Sequence, residues 1–285
     1  MKTAHFIASL FVLFVTLSVW CQPTYPKASP FSKIEQQIGL TSLSIEYSRP
    51  AVRGRQLFGK LIPYGRIWRV GANESTKFST NKEITILGNK LSPGTYALYA
   101  FPEEDVWEVV FHKNTTHWGD GRTAYDAAED AFRVRIKLQE NIEWQENFLI
   151  SFDSITHNGA VMQWKWGTRK ISVPMEAGTQ KEMLHTIEEH MKGSPTAQDY
   201  YEAARYFQEE GIANETALGY LEKAIALGGD TYYYYRVKSL VEAAVKNYSA
   251  AIVSAQRSLT LAQAEGKDEF VRMNKENIAR WKELE

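Results

Sequence analysis

The hydrophobic period of this chain changes once, after Pro174, and that change limits what each half can fold into. Before it, Leu43, Ile45 and Tyr47 alternate with Ser42, Ser44 and Glu46, the pattern of a strand with one buried face. Short β-favouring runs follow at Glu83–Leu87, Tyr96–Phe101, Trp107–Phe111, Phe132–Leu138, Phe148–Phe152, Ala160–Trp166 and Ile171–Val173, and Gly88-Asn89 and Pro93-Gly94 supply turns. No helical pattern separates these runs, which argues for an antiparallel β-sandwich or barrel. After Pro174, Met183, Ile187 and Met191 sit four apart on one helical face. The expected class is α+β as two domains. A Pro-rich lead segment covers residues 22–39, a β-sandwich domain 40–176 and a helical domain 177–285, with Ala177–Thr179 as the linker.

In the second half, helices are expected over Thr196–Glu210, Glu215–Leu227, Thr231–Lys246, Tyr248–Ala264 and Asp268–Leu284, separated by Gly228-Gly229, Asn247 and Gly266. Gly193-Ser194-Pro195 stops the preceding helix, and Ser194 can cap the next with Pro195 at its first position. Ala217, Leu221 and Ala224 recur 34 residues later as Ala251, Ala255 and Ser258, and Ile225 recurs as Leu259. That period, with small residues on the second helix, is the signature of a tetratricopeptide-like hairpin. Lys238 and Glu242 fall where the pattern wants apolar residues, so two degenerate units and a capping helix are expected.

The N-terminus carries Lys2 and then an uncharged apolar run from Phe6 to Val19. It is too short to span a bilayer and reads as the core of a secretory signal peptide, residues 1–21, cut after Cys21. Localisation is expected to be periplasmic or secreted, with no transmembrane segment after cleavage. Lipid anchoring through Cys21 is the alternative, disfavoured by the bulk of Trp20. Cys21 is the only cysteine, so an intrachain disulfide and a cysteine-ligated metal are excluded. A formal net charge of −1 without a basic run speaks against nucleic acid as a partner.

The stretch Tyr47–Thr76, YSRPAVRGRQLFGKLIPYGRIWRVGANEST, concentrates Arg49, Arg53, Arg55, Arg66 and Arg69 with Tyr64, Trp68, Asn73 and Glu74. Gly54, Gly59, Gly65 and Gly71 among them imply a shaped loop with positive-φ or close-approach positions. The YSRP, GR, PYG-x-x-WR-x-GANE and later PGTYAL segments resemble the bacterial domain-of-unknown-function family number 2911, over roughly Pro30 to Pro174. The resemblance implies an exported protein of the Bacteroidetes type with tetratricopeptide-like helices behind the domain, and it implies no activity. Arg53 stands where that family commonly has Lys.

Arg49, Arg55, Tyr64, Trp68, Arg69, Asn73 and Glu74 are the candidate ligand-binding residues. Guanidinium forks read carboxylates, and a Trp face stacks on a sugar ring. The competing reading is an Arg–Glu clasp that satisfies the polar groups of a long loop. His112 and His117 with Asp120 form a weaker candidate three-ligand metal set, since their spacing matches no zinc motif. His157 reads as a solvent-facing turn histidine, and the run Tyr232–Tyr235 as helix packing or an aromatic peptide-binding face. No nucleophile elbow, phosphate loop or dinucleotide fingerprint calls for a catalytic residue or a cofactor. Three functions remain: an envelope binding or scaffold protein holding a glycan or peptide, with a protein partner on the helical array; a hydrolase using Glu74 as acid or base, paired with Asp120 or Asp126; and a purely structural module.

Overall fold

A computed structural model describes residues 25–119 and 122–285; the expected signal peptide and Asp120 lie outside them. Within these residues the chain divides after Gly178 into two compact units.

The first unit holds ten strands: β1 (Phe31–Ile38), β2 (Thr41–Ser48), β3 (Thr76–Thr80), β4 (Ile84–Ile86), β5 (Asn89–Leu91), β6 (Gly94–Phe101), β7 (Val106–His112), β8 (Asp130–Lys137), β9 (Gln139–Asp153) and β10 (Gly159–Ala177). They form a six-stranded sheet, ordered β1-β2-β3-β6-β7-β8, and a four-stranded sheet, β5-β4-β10-β9. The pairings are antiparallel throughout. Side chains from both sheets share one core, including Ile45, Phe78, Leu98, Val109 and Phe111 from the first and Ile86, Phe148, Ile150, Met162 and Trp164 from the second.

The region expected as a lead segment is in fact partly a strand. β1 pairs along its length with β2, Ile34 opposite Ile45, and buries only its last residue, Ile38. Its alternation is nearly all polar, because it is an edge strand whose charges, including the Lys33–Glu35 and Lys33–Glu46 pairs, face water. The two longest strands were legible only in pieces. In β10 the buried positions are even from Ala160 to Trp166 and odd from Ile171 to Ala177. The phase resets at Gly167, between two register irregularities against β9. Gly167 has φ +57°, and a Cβ there would lie 2.9 Å from Leu57 Cδ1.

The second unit is helical: α1 (Thr179–His190), α2 (Ala197–Glu210), α3 (Asn214–Ala226), α4 (Tyr232–Ala244), α5 (Tyr248–Ala264) and α6 (Asp268–Lys282). β10 ends at Ala177 and α1 starts at Thr179, so the expected linker shrinks to Gly178. Thr196, not Ser194, caps α2, in a reciprocal capping box with Asp199. Each helix from α2 onward packs on the next. The repeated small positions are all buried: Ala217, Leu221 and Ala224 in α3, and Ala251, Ala255 and Ser258 in α5. Two buried polar groups pair: Asn274 donates to Ser258 Oγ at 2.8 Å and Ser258 to the Tyr232 carbonyl at 2.6 Å. Glu242 is buried beside Lys238 at 3.7 Å. Tyr234 stacks on Tyr201 at 4.7 Å and Tyr232 packs on Phe270, so these tyrosines serve packing. Among the described residues, no helix is long and apolar enough to cross a membrane.

Candidate functional site

The connection from β2 to β3 carries the motif-rich stretch and holds three positive-φ residues in four positions: Val70 (φ 55°), Gly71 (φ 147°) and Asn73 (φ 62°). For a β-branched residue such as Val70 this costs about 1–3 kcal/mol, so surrounding contacts must impose it. They do. Thr76 Oγ1 donates to the Val70 carbonyl, Trp68 Nε1 donates to the Gly71 carbonyl at 3.3 Å, and Asn73 Nδ2 donates to Ser48 Oγ at 3.0 Å. A Cβ on Gly71 would fall 2.9 Å from the Ser48 carbonyl, which explains the glycine in the GANE segment.

This loop walls a cavity of about 500 Å³. Arg55, Lys60, Arg66 and Arg69 line it, with Trp68 and Trp166 as its aromatic side and Leu61, Ile62 and Pro63 as apolar wall; none of its lining residues is acidic. Trp68 is fixed there by a nearly parallel stack on Trp166, 6.1 Å between rings at 17°, and by edge contacts with Trp107 and Phe148. Of the seven expected ligand residues, the structure brings Arg55, Trp68 and Arg69 together here. Arg49 instead donates from Nε to the Phe148 carbonyl at 2.9 Å, tying the loop to β9. Tyr64 is exposed and covers Gly59. Asn73 and Glu74 line a separate recess of about 120 Å³ with Lys27 and Lys77. Burial lowers the Lys77 pKa, and Glu74 partly counters this. Glu74 itself is exposed and forms no buried Arg–Glu clasp. Lys60, Arg66 and Trp166 line the cavity without being among the seven expected residues. The first two sit inside the Arg-rich stretch, but Trp166 arrives from β10 and no local signal marks it.

A second cluster lies on the outer face of the six-stranded sheet. Along β6, Leu98 and Ala100 face the main core, while Ala97 and Tyr99 form a small separate core with Val110. His112 ends β7 on that outer face and is fully buried. A register shift between Phe111 and His112 sets it opposite Asp130, with Ala131 as the extra residue of a bulge. His112 Nδ1 meets Asp130 Oδ1 at 2.9 Å. Asp130 is held in turn by Arg133 Nε at 2.6 Å and by the Tyr125 hydroxyl at 2.8 Å. Burial and the Asp130 carboxylate push the Tyr125 hydroxyl well above its usual range. The loop after β7 returns His117, also buried, with Nδ1 3.1 Å from the Tyr99 hydroxyl. Burial raises the Tyr99 pKa too, and Arg69, among its neighbours, acts in the opposite sense. Among the described residues, the carboxylate that joins the two histidines is Glu129, 3.5 Å from His112 Nε2. His157 is exposed, as expected.

The two clusters adjoin. The His117 loop pairs with the motif stretch through an isolated bridge between Glu74 and Trp118, and Tyr99 reaches from His117 toward Arg69. Fold and site together define an α+β chain whose β unit carries a cationic cavity beside a buried histidine cluster. The family described as Protein of unknown function (DUF2911) matches residues 29–175, and the chain belongs to that family. No curated protein matches the chain, and no solved structure does.

Proposed function

We propose that the β unit is a binding module for an anionic ligand, an acidic glycan or a peptide carboxylate, held in the cavity of Arg55, Lys60, Arg66 and Arg69. The carrying observation is a 500 Å³ recess walled by four cationic side chains and two tryptophans with no acidic lining. That volume falls within the usual range for small-ligand sites, about 300–1,000 Å³. Each charge-assisted hydrogen bond contributes about 1.5–3 kcal/mol, enough for a few to give micromolar affinity. We further propose that the protein is exported by its N-terminal apolar segment, is of the Bacteroidetes type, and uses the helical unit as a tetratricopeptide-like array for a protein partner. The cavity is favoured over a hydrolase using Glu74 because Glu74 lines the smaller recess and not the cationic cavity. A purely structural role leaves an exposed Trp118 and an open cationic recess without a use.

Calorimetric titration of the purified chain with uronic-acid oligosaccharides, acidic peptides and neutral oligosaccharides tests this. Binding of one acidic class, weakened by salt and lowered about tenfold or more in Arg66→Ala and Lys60→Ala, is expected. Equal affinity for neutral and acidic ligands, or no effect of either variant, would refute the anionic site.

A further inference from the structure

We propose that His112, His117 and Glu129 form a binding site for a divalent transition-metal ion, zinc or a neighbour of similar donor preference. The argument starts from one atom. Nδ1 of His112 faces a carboxylate, which only accepts, so in the neutral ring the proton sits on Nδ1 and the lone pair on Nε2. Nε2 is buried and has no hydrogen-bond partner. An acceptor left bare in the interior costs about 1–3 kcal/mol, so folding alone gives no reason to keep one. It points toward Glu129 at 3.5 Å, and the His117 ring is 5.4 Å away, centre to centre.

One ligand atom from each of the three residues lies within 4.8 Å of the other two. Ligands about 2.0–2.1 Å from a tetrahedral ion stand roughly 3.3 Å apart. The His112–Glu129 separation already meets that spacing, and the remaining closure is of the order of 1 Å for the loop-borne His117. Both histidines are oriented from behind, His112 by Asp130 and His117 by the Tyr99 hydroxyl, and Glu129 accepts from Asn114 Nδ2 at 3.2 Å. A carboxylate behind a ligating imidazole is the arrangement that fixes its tautomer and raises its basicity. The Lys113 amide donates to the Glu129 carbonyl at 2.9 Å, which clamps the loop that closes the site. Two imidazoles and one carboxylate suit zinc, cobalt or ferrous ions; calcium and magnesium prefer all-oxygen shells. Three protein ligands leave a coordination position for water or a bound group, as in catalytic rather than structural sites.

The rival arrangement is a doubly protonated His112 bridging Asp130 and Glu129 without metal. The chelator-stripped chain should take up one equivalent of Zn²⁺ by calorimetry and develop the visible absorption of Co²⁺ in a low-coordinate nitrogen–oxygen site. His117→Gln and Glu129→Gln, both on the loop side and so sparing the sheet, should each weaken Zn²⁺ binding about 100-fold while melting like the stripped parent. Absence of one-equivalent binding, or binding that survives in both variants, overturns the site. A preference for Ca²⁺ over Zn²⁺ overturns its assigned class.

Discussion

The six-stranded sheet treats its two faces differently. On the inner face, Leu98, Ala100, Trp107, Val109 and Phe111 are buried against the second sheet, with no charged side chain among them. The outer face of a sheet in such an architecture is ordinarily left to water. Here part of it is covered by the loop after β7, whose His117 is buried against Tyr99 and His112. The inner face explains why the unit folds. The outer face contains ionisable groups that are costly to bury and that an apolar core does not need, which is the mark of a face retained for another purpose. In the helical unit, Ser258 and Asn274 are buried neutral groups that bond each other.

The largest effect expected is on the inner face. Phe111→Ala empties a fully buried position between Phe78 and Phe132 and should cost about 3–5 kcal/mol in denaturant unfolding. A smaller loss in that variant would mean that the inner face is looser than its packing implies. Next comes the loop beside the sheet. Gly71→Ala meets the Ser48 carbonyl at an unfavourable φ and should cost about 2–3 kcal/mol, with anionic-ligand binding falling alongside stability. On the outer face, Asp130→Asn keeps the shape but removes the charge that Arg133 and His112 share. Stability should fall by about 1.5–2 kcal/mol and Zn²⁺ affinity by about 10–100-fold, a combination that a merely structural carboxylate would not give.

The smallest effect at neutral pH separates the faces by titration. The folded-state pKa values of Tyr99 and Tyr125 are raised, first by burial. The unfolded chain therefore loses these protons at a lower pH than the folded one does. Their contribution is full below the ordinary tyrosine value of 10.0 and is lost as pH rises above it. Melting temperature should decline above that pH, and Tyr125→Phe should flatten the decline. An unchanged alkaline limb in that variant would show that Tyr125 does not control it.

What the sequence made legible follows from how locally each feature is encoded. The period change, the short strands with apolar alternation and the helix α5 could be read because neighbours in sequence carry the signal. β1 could not, because an edge strand facing water alternates with little apolar content, and the polar first half of β9 hides for the same reason. In the candidate sites, the Arg-rich stretch pointed to the right loop but not to its division into a cavity and a separate recess. Arg55 and Arg69 line the cavity with Trp166, Arg55 while donating to the Val52 and Ala51 carbonyls, whereas Arg49 donates to the Phe148 carbonyl on β9 and lies outside it. His112 and His117 were visible as a pair. Asp120, the expected carboxylate, lies outside the described residues; among these, Glu129 is set beside His112 by the return of the chain into β8. Strand pairing, a long-range property, places Glu129 there.

The phase reset at Gly167 makes β10 sensitive to chain length in a way that composition does not reveal. Ala160 to Trp166 and Ile171 to Ala177 face the core on opposite parities, so they keep a common orientation only while the irregular residues between them are all present. Loss of a single codon near Gly167 would turn Ile171, Val173 and Met175 outward and present their charged or polar neighbours to the interior. A paired deletion would preserve parity and be far better tolerated. In evolutionary terms, this strand can shorten or lengthen only in steps of two.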